Sequence, residues 1–174
     1  MWMKELFNSK FEEIKQFLTE TFKIAAIFSI VFFSIHISLI IALHNNNPAF
    51  VVTSNSMLHQ NESWRDYYTA MGIDTSNFPI QGGFARGDIL LAEGVNPNNI
   101  AVGDVIIFEA SGTEIAHRVV EISFSDNKPK FKTKGDANMY SAWSESSIFP
   151  ENIKGRVVFV LPKIGHIFLW LSGK

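Results

Sequence analysis

The residues from Ile24 to Leu43 read IAAIFSIVFFSIHISLIIAL, a run of 20 residues without a formal charge. An α-helix of about 20 apolar residues is long enough to cross the ~30 Å hydrocarbon core of a bilayer. The apolar part of a cleaved secretory signal spans only ~7–15 residues and ends at small residues. This run is longer and continues into the polar stretch from His44 to Pro48. The sequence therefore predicts an uncleaved transmembrane anchor over residues 24–44.

Residues 1–23, which precede the anchor, carry apolar side chains at helical spacing among lysines and glutamates. This pattern predicts an amphipathic helix, which either lies on a membrane surface or packs against a partner. Four lysines stand before the apolar run, at positions 4, 10, 15 and 23, and the next lysine or arginine after it is Arg65. The positive-inside rule then places the N-terminus in the cytoplasm and everything from Pro48 onward outside it.

The composition of the 174 residues limits what this outer part can be. With 47% hydrophobic and 13% aromatic residues, the chain can bury a core, which argues against intrinsic disorder. A formal net charge of -2 provides no basic footprint, so we expect no nucleic acid partner. The absence of cysteine excludes disulfides, thiolate catalysis and cysteine-built zinc sites. The five histidines show no paired ligand spacing, so we expect no metal and no cofactor.

After the anchor, short apolar and β-branched runs alternate with Gly, Asn, Asp and Pro, a pattern typical of strands. The predicted strands are Ala49–Thr53, Asp88–Ala92, Asp104–Glu109, Glu114–Phe124, Lys130–Lys134 and Arg156–Leu161. The dipeptides Gly87-Asp88 and Gly103-Asp104 are interpreted as turns that lead into two of them. No long helical pattern lies between the strands to make parallel crossovers, so the sequence predicts a mainly β, antiparallel domain over residues 48–174.

Two segments of this domain do not fit the strand pattern. Residues 58–86 are polar with isolated aromatic side chains, and we interpret them as an inserted loop region with one short helix around Ser63–Met71. This insertion is either a functional loop or a surface decoration. At the C-terminus, Ile164–Leu171 is apolar but too short to cross a bilayer. We expect it to form a last buried strand, with a membrane-touching tail as the alternative because Trp170 suits an interfacial position.

Three polar positions in this domain carry the residue types of acyl-transfer chemistry. Ser54-Asn55-Ser56-Met57 follows a predicted strand, His117 lies within Glu114–Phe124, and Asp136 lies in the turn from Lys134 to Asn138. Each has an ordinary structural interpretation, as turn-forming serines, a core histidine and an Asx-turn. Together they supply a hydroxyl nucleophile, an imidazole base and a carboxylate that can orient the imidazole.

These positions fall within six short motifs that occur in a fixed order along the chain. The motifs are Ser54-Asn55-Ser56-Met57, Arg86-Gly87-Asp88-Ile89, Val102 to Ile106, His117-Arg118-Val119, Lys134 to Asn138 and Ile153 to Val158. In this order, behind an anchor, they resemble the type I signal peptidases, and specifically the archaeal and endoplasmic-reticulum branch that uses Ser and His. The resemblance implies a signal-peptidase-like antiparallel β-domain behind a single N-terminal transmembrane helix.

The resemblance also implies a role for each matched residue. Ser56 matches the nucleophile and His117 matches the general base. Ser54 matches the serine whose hydroxyl forms the oxyanion hole together with the backbone N–H of Ser56. Asp136 matches the first of two aspartates associated with the histidine, and shallow substrate pockets are expected near Met57.

The sequence departs from the family pattern at several positions. The second aspartate of the family is replaced by Ala142, which leaves three alternatives. Asp136 orients the histidine alone, Glu145 substitutes for the missing aspartate, or serine and histidine act as a dyad. The usual glycine between the two serines is Asn55, and a proline that often follows them is His59.

The resemblance implies a serine endopeptidase of the cell membrane, with one span and an extracytoplasmic catalytic domain, that cleaves signal peptides from exported preproteins. Its expected partners are the preprotein, the lipid bilayer and the translocation machinery. The alternative is a catalytically degenerate, membrane-tethered β-domain that binds exported chains or scaffolds a complex. The change at Ala142 favours that alternative.

Overall fold

The structure is a computed structural model that describes residues 2–60 and 62–173. The chain divides into two compact units, residues 1–42 and residues 43–174. The first unit is helical and the second contains a six-stranded sheet.

A single α-helix, α1, covers Trp2–Leu43 and spans 42 residues. It joins the predicted amphipathic segment to the predicted anchor without a break, because neither segment contains a proline or glycine. Its part from Lys10 to Leu43 is long and apolar enough to cross a membrane, by length and composition. Large apolar side chains such as Phe28 and Phe33 are exposed on this helix, which suits a lipid environment.

The second unit is an antiparallel sheet in the order β1-β2-β6-β3-β4-β5. The strands are β1 (Ala49–Val51), β2 (Ile89–Glu93), β3 (Val105–Ala110), β4 (Thr113–Ser125), β5 (Lys128–Lys134) and β6 (Ile153–Leu161). The prediction of a mainly β, antiparallel domain is therefore confirmed, and each of the six predicted strands is present with shifted ends.

The sheet carries apolar layers on both faces. Along β3, Val105 and Ile107 belong to one buried cluster, whereas Ile106 and Phe108 belong to another. Successive side chains of a strand point to opposite faces, so a central strand covered on both sides needs a continuous apolar run. This requirement explains why β3 reads Val-Ile-Ile-Phe.

The two Gly-Asp dipeptides form turns before strands, as predicted. Gly87 and Gly103 adopt φ values of 90° and 99°, which favour glycine. The carboxylate of Asp88 accepts hydrogen bonds from the backbone N–H groups of Ala85 and Lys163 at 2.8 and 2.9 Å. These aspartates therefore hold turns together.

The inserted segment contains the predicted short helix, as a 3-10 turn at Glu62–Arg65 followed by α2 (Asp66–Thr69). Trp64 and Tyr68 are buried and pack with Val120 of β4 in a third apolar cluster. The insertion is therefore attached to β4 by its aromatic side chains.

The prediction of a last buried strand at the C-terminus is wrong. Residues His166–Leu171 form a helix, α3, in which Leu169 is buried while Ile167, Trp170 and Leu171 are exposed. Both edges of β6 are already paired with β2 and β3, so a further strand has no edge there. The chain instead turns at Lys163, where φ is 63°, and the Gly165 N–H donates to the Gly87 carbonyl.

We expect the substitution Phe131→Ala to lower the free energy of unfolding by about 3–5 kcal/mol, because it opens a cavity in the cluster under β5. Phe124→Ala, where the side chain is 71% exposed, is the matched control and should change stability by less than about 0.5 kcal/mol. Thermal unfolding of the detergent-solubilised chain measures both. Equal losses in the two variants would contradict the described core.

Candidate active site

Three distant side chains meet in one line of hydrogen bonds. Ser56 lies in the turn after β1, His117 in β4, and Glu145 in a 3-10 turn (Trp143–Glu145) after β5. The Ser56 Oγ is 2.8 Å from His117 Nε2, and His117 Nδ1 is 2.5 Å from Glu145 Oε2. His117 and Glu145 are buried, at 6% and 2% exposure.

The partners of His117 assign its tautomer. A carboxylate oxygen only accepts, so Nδ1–H donates to Glu145, and in the neutral ring the unprotonated Nε2 then accepts from the Ser56 hydroxyl. The ring is thus oriented to receive the serine proton. This is the arrangement that activates a hydroxyl nucleophile.

Glu145 is held in place from three sides. Its Oε2 accepts a hydrogen bond from Thr133 Oγ1 at 3.2 Å as well as from His117. Its Oε1 accepts from the backbone N–H of Ala142 at 3.3 Å. Position 142, where the family pattern has an aspartate, therefore contributes a backbone donor, and the carboxylate comes from three residues further along the chain.

The turn carrying Glu145 is attached to β5 by two backbone hydrogen bonds. Phe131 N–H donates to the Ile148 carbonyl at 2.9 Å, and Ile148 N–H donates back to Phe131 at 2.8 Å. Since β5 pairs with β4, which carries His117, this bridge brings Glu145 beside the histidine.

Asp136 occupies a different position from the one expected beside His117. Its carboxylate accepts hydrogen bonds from Arg118 Nη2 at 2.8 Å and from His59 Nε2 at 2.7 Å. Burial alone would raise the pKa of Asp136, but the hydrogen bonds from His59 and Arg118 outweigh it and hold that pKa below its usual value. The anion therefore compensates a buried guanidinium.

Ser54 lies close to Ser56, with the two Oγ atoms 3.1 Å apart. Asn55, between them, uses its side-chain oxygen to accept the backbone N–H of Arg86 at 2.9 Å. Its backbone is not among the described positions with positive φ. The replacement of glycine by Asn55 is therefore accommodated without left-handed geometry.

A groove of about 740 Å³ opens beside the serines. It is lined by residues 50–54 and 112–117 together with Ser56, Phe84, Leu90, Ile107 and Glu109. Met57, expected near the substrate, is completely buried in the core, and its sulfur accepts the backbone N–H of Asp136 at 3.3 Å. Met57 supports the turn from beneath and is not among the residues that line the groove.

Gly135 is a residue of the site that the sequence reasoning missed. A Cβ atom there would lie 2.7 Å from the Ser56 carbonyl oxygen and 2.9 Å from His117 Nε2. Its φ is not in the left-handed range, so the requirement is for space. The Gly-Asp signal in the sequence pointed to a turn, but the close approach to the serine and histidine needs the three-dimensional arrangement.

Among known proteins, the chain is similar to several that share one name. No protein-family model matches the chain. The chain is 28% identical over 171 residues to the signal peptidase complex catalytic subunit of Yarrowia lipolytica, covering 92% of this chain and 84% of the relative. The subunit of the same name from Metarhizium robertsii is 33% identical over 102 residues, covering 53% of this chain and 59% of the relative. The resemblance to the type I signal peptidases, in the endoplasmic-reticulum and archaeal branch, is therefore confirmed.

We expect Asp136→Asn to lower the free energy of unfolding by about 3–5 kcal/mol, because it leaves the buried Arg118 charge without its anion. A carboxylate whose pKa is lowered by folding stabilises the protein above its ordinary pKa, and this contribution is lost as the pH falls through the folded value. The variant should therefore also show a flatter loss of stability in acid. Unfolding curves over a series of pH values measure both effects.

The matched control is Glu109→Gln, which removes an exposed ion pair with Lys154 and should leave the melting temperature nearly unchanged. A melting temperature for Asp136→Asn equal to that of this control would contradict the stabilising role.

Proposed function

We propose that this chain is a membrane-anchored serine endopeptidase that removes N-terminal signal peptides from exported preproteins. The observation that carries the proposal is the unbroken line of hydrogen bonds from Ser56 through His117 to Glu145. The similarity to catalytic subunits of the signal peptidase complex supports a signal peptidase function in general.

The reaction is acyl transfer to the Ser56 hydroxyl. As Oγ attacks the scissile carbonyl, its proton passes to His117 Nε2, and the resulting imidazolium is stabilised by Glu145. The tetrahedral intermediate collapses when the same proton is given to the leaving amine, so that the mature protein departs and an ester remains on Ser56. Water, deprotonated by His117, then hydrolyses the ester and restores the serine.

The negative charge on the scissile oxygen requires donors placed before the reaction begins. The Ser54 hydroxyl, beside the Ser56 hydroxyl, and the backbone N–H of Ser56 are the proposed donors. Loss of one such donor typically costs about 10²–10³ in kcat.

The groove fits an extended chain on the acyl side of the scissile bond. Within the described residues, β1 pairs only with β2, and the Thr113–His117 part of β4 pairs only with β3. Both strand edges that face the groove are therefore available for backbone hydrogen bonds, the mode called β-augmentation. The lining residues Phe84, Leu90 and Ile107 then contact small side chains, which suits the residues before a signal-peptide cleavage site.

The anchor places this groove near its substrate. The apolar segment of a signal peptide and α1 would lie in the same bilayer, and this confinement raises the effective concentration of the cleavage site. With the lysine-rich N-terminus in the cytoplasm, the sheet domain lies on the exit side, where the translocation machinery delivers preproteins. The exposed apolar residues of α3, Ile167, Trp170 and Leu171, suit a domain beside lipid.

The alternative of a degenerate binding domain has less support. Its basis was the missing aspartate at Ala142, but the carboxylate at Glu145 contacts the histidine directly. A domain that only binds chains has no need for a serine oriented on a buried His-Glu pair.

We expect the detergent-solubilised chain to cleave a preprotein at its signal peptide, and Ser56→Ala and His117→Ala to abolish cleavage. Glu145→Gln keeps the shape but no longer holds the charged imidazole, so kcat should fall by about 10²–10⁴-fold. Product formation on gels with N-terminal sequencing measures these rates. Absence of cleavage by the unaltered chain, or equal cleavage by Ser56→Ala, would refute the proposal.

We expect Gly135→Ala to lower kcat by about 10²-fold or more, because its Cβ would displace Ser56 and His117 from each other. Gly82→Ala is the matched control, since its Cβ would meet no atom within 4 Å. Initial rates with the same preprotein compare the two variants. Similar activities would show that the turn at Gly135 does not hold the reacting groups in position.

A further inference from the structure

Within residues 2–60 and 62–173, the two ring nitrogens of His59 contact two acceptors and no donor. Its Nε2 is 2.7 Å from a carboxylate oxygen of Asp136, and its Nδ1 is 3.0 Å from the backbone carbonyl oxygen of Gln81. A backbone carbonyl never donates, so Nδ1 must carry a proton. Arg118 donates to both oxygens of the Asp136 carboxylate in a buried ion pair, so Asp136 is the anion that accepts from His59, and Nε2 must carry a proton as well.

We infer that His59 is a positioning residue for the reaction, kept as a doubly protonated imidazolium. One of its N–H groups binds Gln81 in the inserted segment, and the other binds Asp136 in the turn after β5 that contacts Ser56. This inference rests on the proposed function. His117 differs from His59, because one of its ring nitrogens faces a hydroxyl, which can donate as well as accept.

The His59 ring also has an aromatic partner. It stacks on the buried indole of Trp64, with centroids 4.6 Å apart and an angle of 15° between the planes. The side chain is only 8% exposed, so its interactions with Asp136 and Trp64 are screened little by water. The face of an indole ring carries negative potential that attracts cations, most strongly where water is excluded.

Several other charged and titratable side chains lie around the stacked pair of His59 and Trp64. Arg65 and Arg118 also contact the Trp64 ring, with centroid distances of 4.4 and 4.9 Å. Burial raises the pKa of Tyr68, which keeps its phenol neutral, and burial lowers the pKa of Lys134. Asp136 is the anion that His59 and Arg118 share.

His59 is connected to Ser56 both along the chain and through the turn that contains Asp136 and Ala137. His59 follows Ser56 by three residues in the chain, and the Ser56 carbonyl accepts the backbone N–H of Ala137 at 2.9 Å. Asp136 therefore binds the segment after the serine through its side chain, while its neighbour Ala137 binds the serine itself. Loss of the His59 charge would loosen one of these two attachments and leave Asp136 with a single cationic partner.

The first test reads the protonation of His59 without any turnover. In the full chain labelled with ¹⁵N-histidine in detergent micelles, a two-bond ¹H–¹⁵N correlation spectrum reports how many ring nitrogens carry protons. We expect both nitrogens of His59 to be protonated at neutral pH, and His117 to show one unprotonated nitrogen. The signal that disappears in His59→Lys assigns the ring. One unprotonated nitrogen on His59 at neutral pH would overturn the inference, whether or not the chain cleaves preproteins.

The second test separates charge from packing. We expect His59→Gln, which is neutral, to lower kcat about tenfold with an unchanged KM, since it misplaces Ser56 but leaves the groove intact. We expect His59→Lys, which keeps a cation beside Asp136, to retain most of the kcat. Equal losses in both variants would show that the charge of His59 has no positioning role. Circular dichroism melting of both variants confirms that the compared chains are folded.

Discussion

The buried guanidinium of Arg118 is the interaction on which the site depends. It has five N–H groups, and each has an acceptor: Asp136 for Nε, Pro79 and Gly103 for Nη1, and Ile80 and Asp136 for Nη2. These acceptors belong to the inserted segment, to the turn before β3 and to the turn after β5. Arg118 thereby connects the inserted segment to the turn of Gly135 and Asp136, and Gly135 lies directly beside Ser56 and His117.

The carboxylate beside His117 comes from Glu145, three residues after the position where the family pattern has an aspartate. A triad needs a carboxylate at one point in space, and the element that provides it is not prescribed. Here Ala142 contributes only a backbone N–H, and the longer side chain of Glu145 extends to Nδ1. The buried hydroxyl of Thr133 supplies a further donor, so the anion has partners for both of its oxygens.

The strands and the proximity of Ser56 to His117 could be predicted because their signals are local or repeated in a known order. The roles of Asp136 and Glu145 could not, because both are acidic residues in turns after the same strand. Only the bridge between Phe131 and Ile148 places one of them on the histidine. The C-terminal helix was also missed, since eight apolar residues fit a strand or a helix equally well and the occupied edges of β6 decide between them.

The sequence by itself determined the long apolar helix and the antiparallel strands, and it predicted that Ser56 and His117 lie together. Run length, the period of two and motif order are properties of neighbouring residues, so they are visible without coordinates. The tertiary structure alone decided that Glu145 contacts His117, that Asp136 neutralises Arg118, and that His59 has two acceptors. Each of these depends on atoms brought within 3 Å of one another from distant segments, and their charge and proton positions follow from the partners found there.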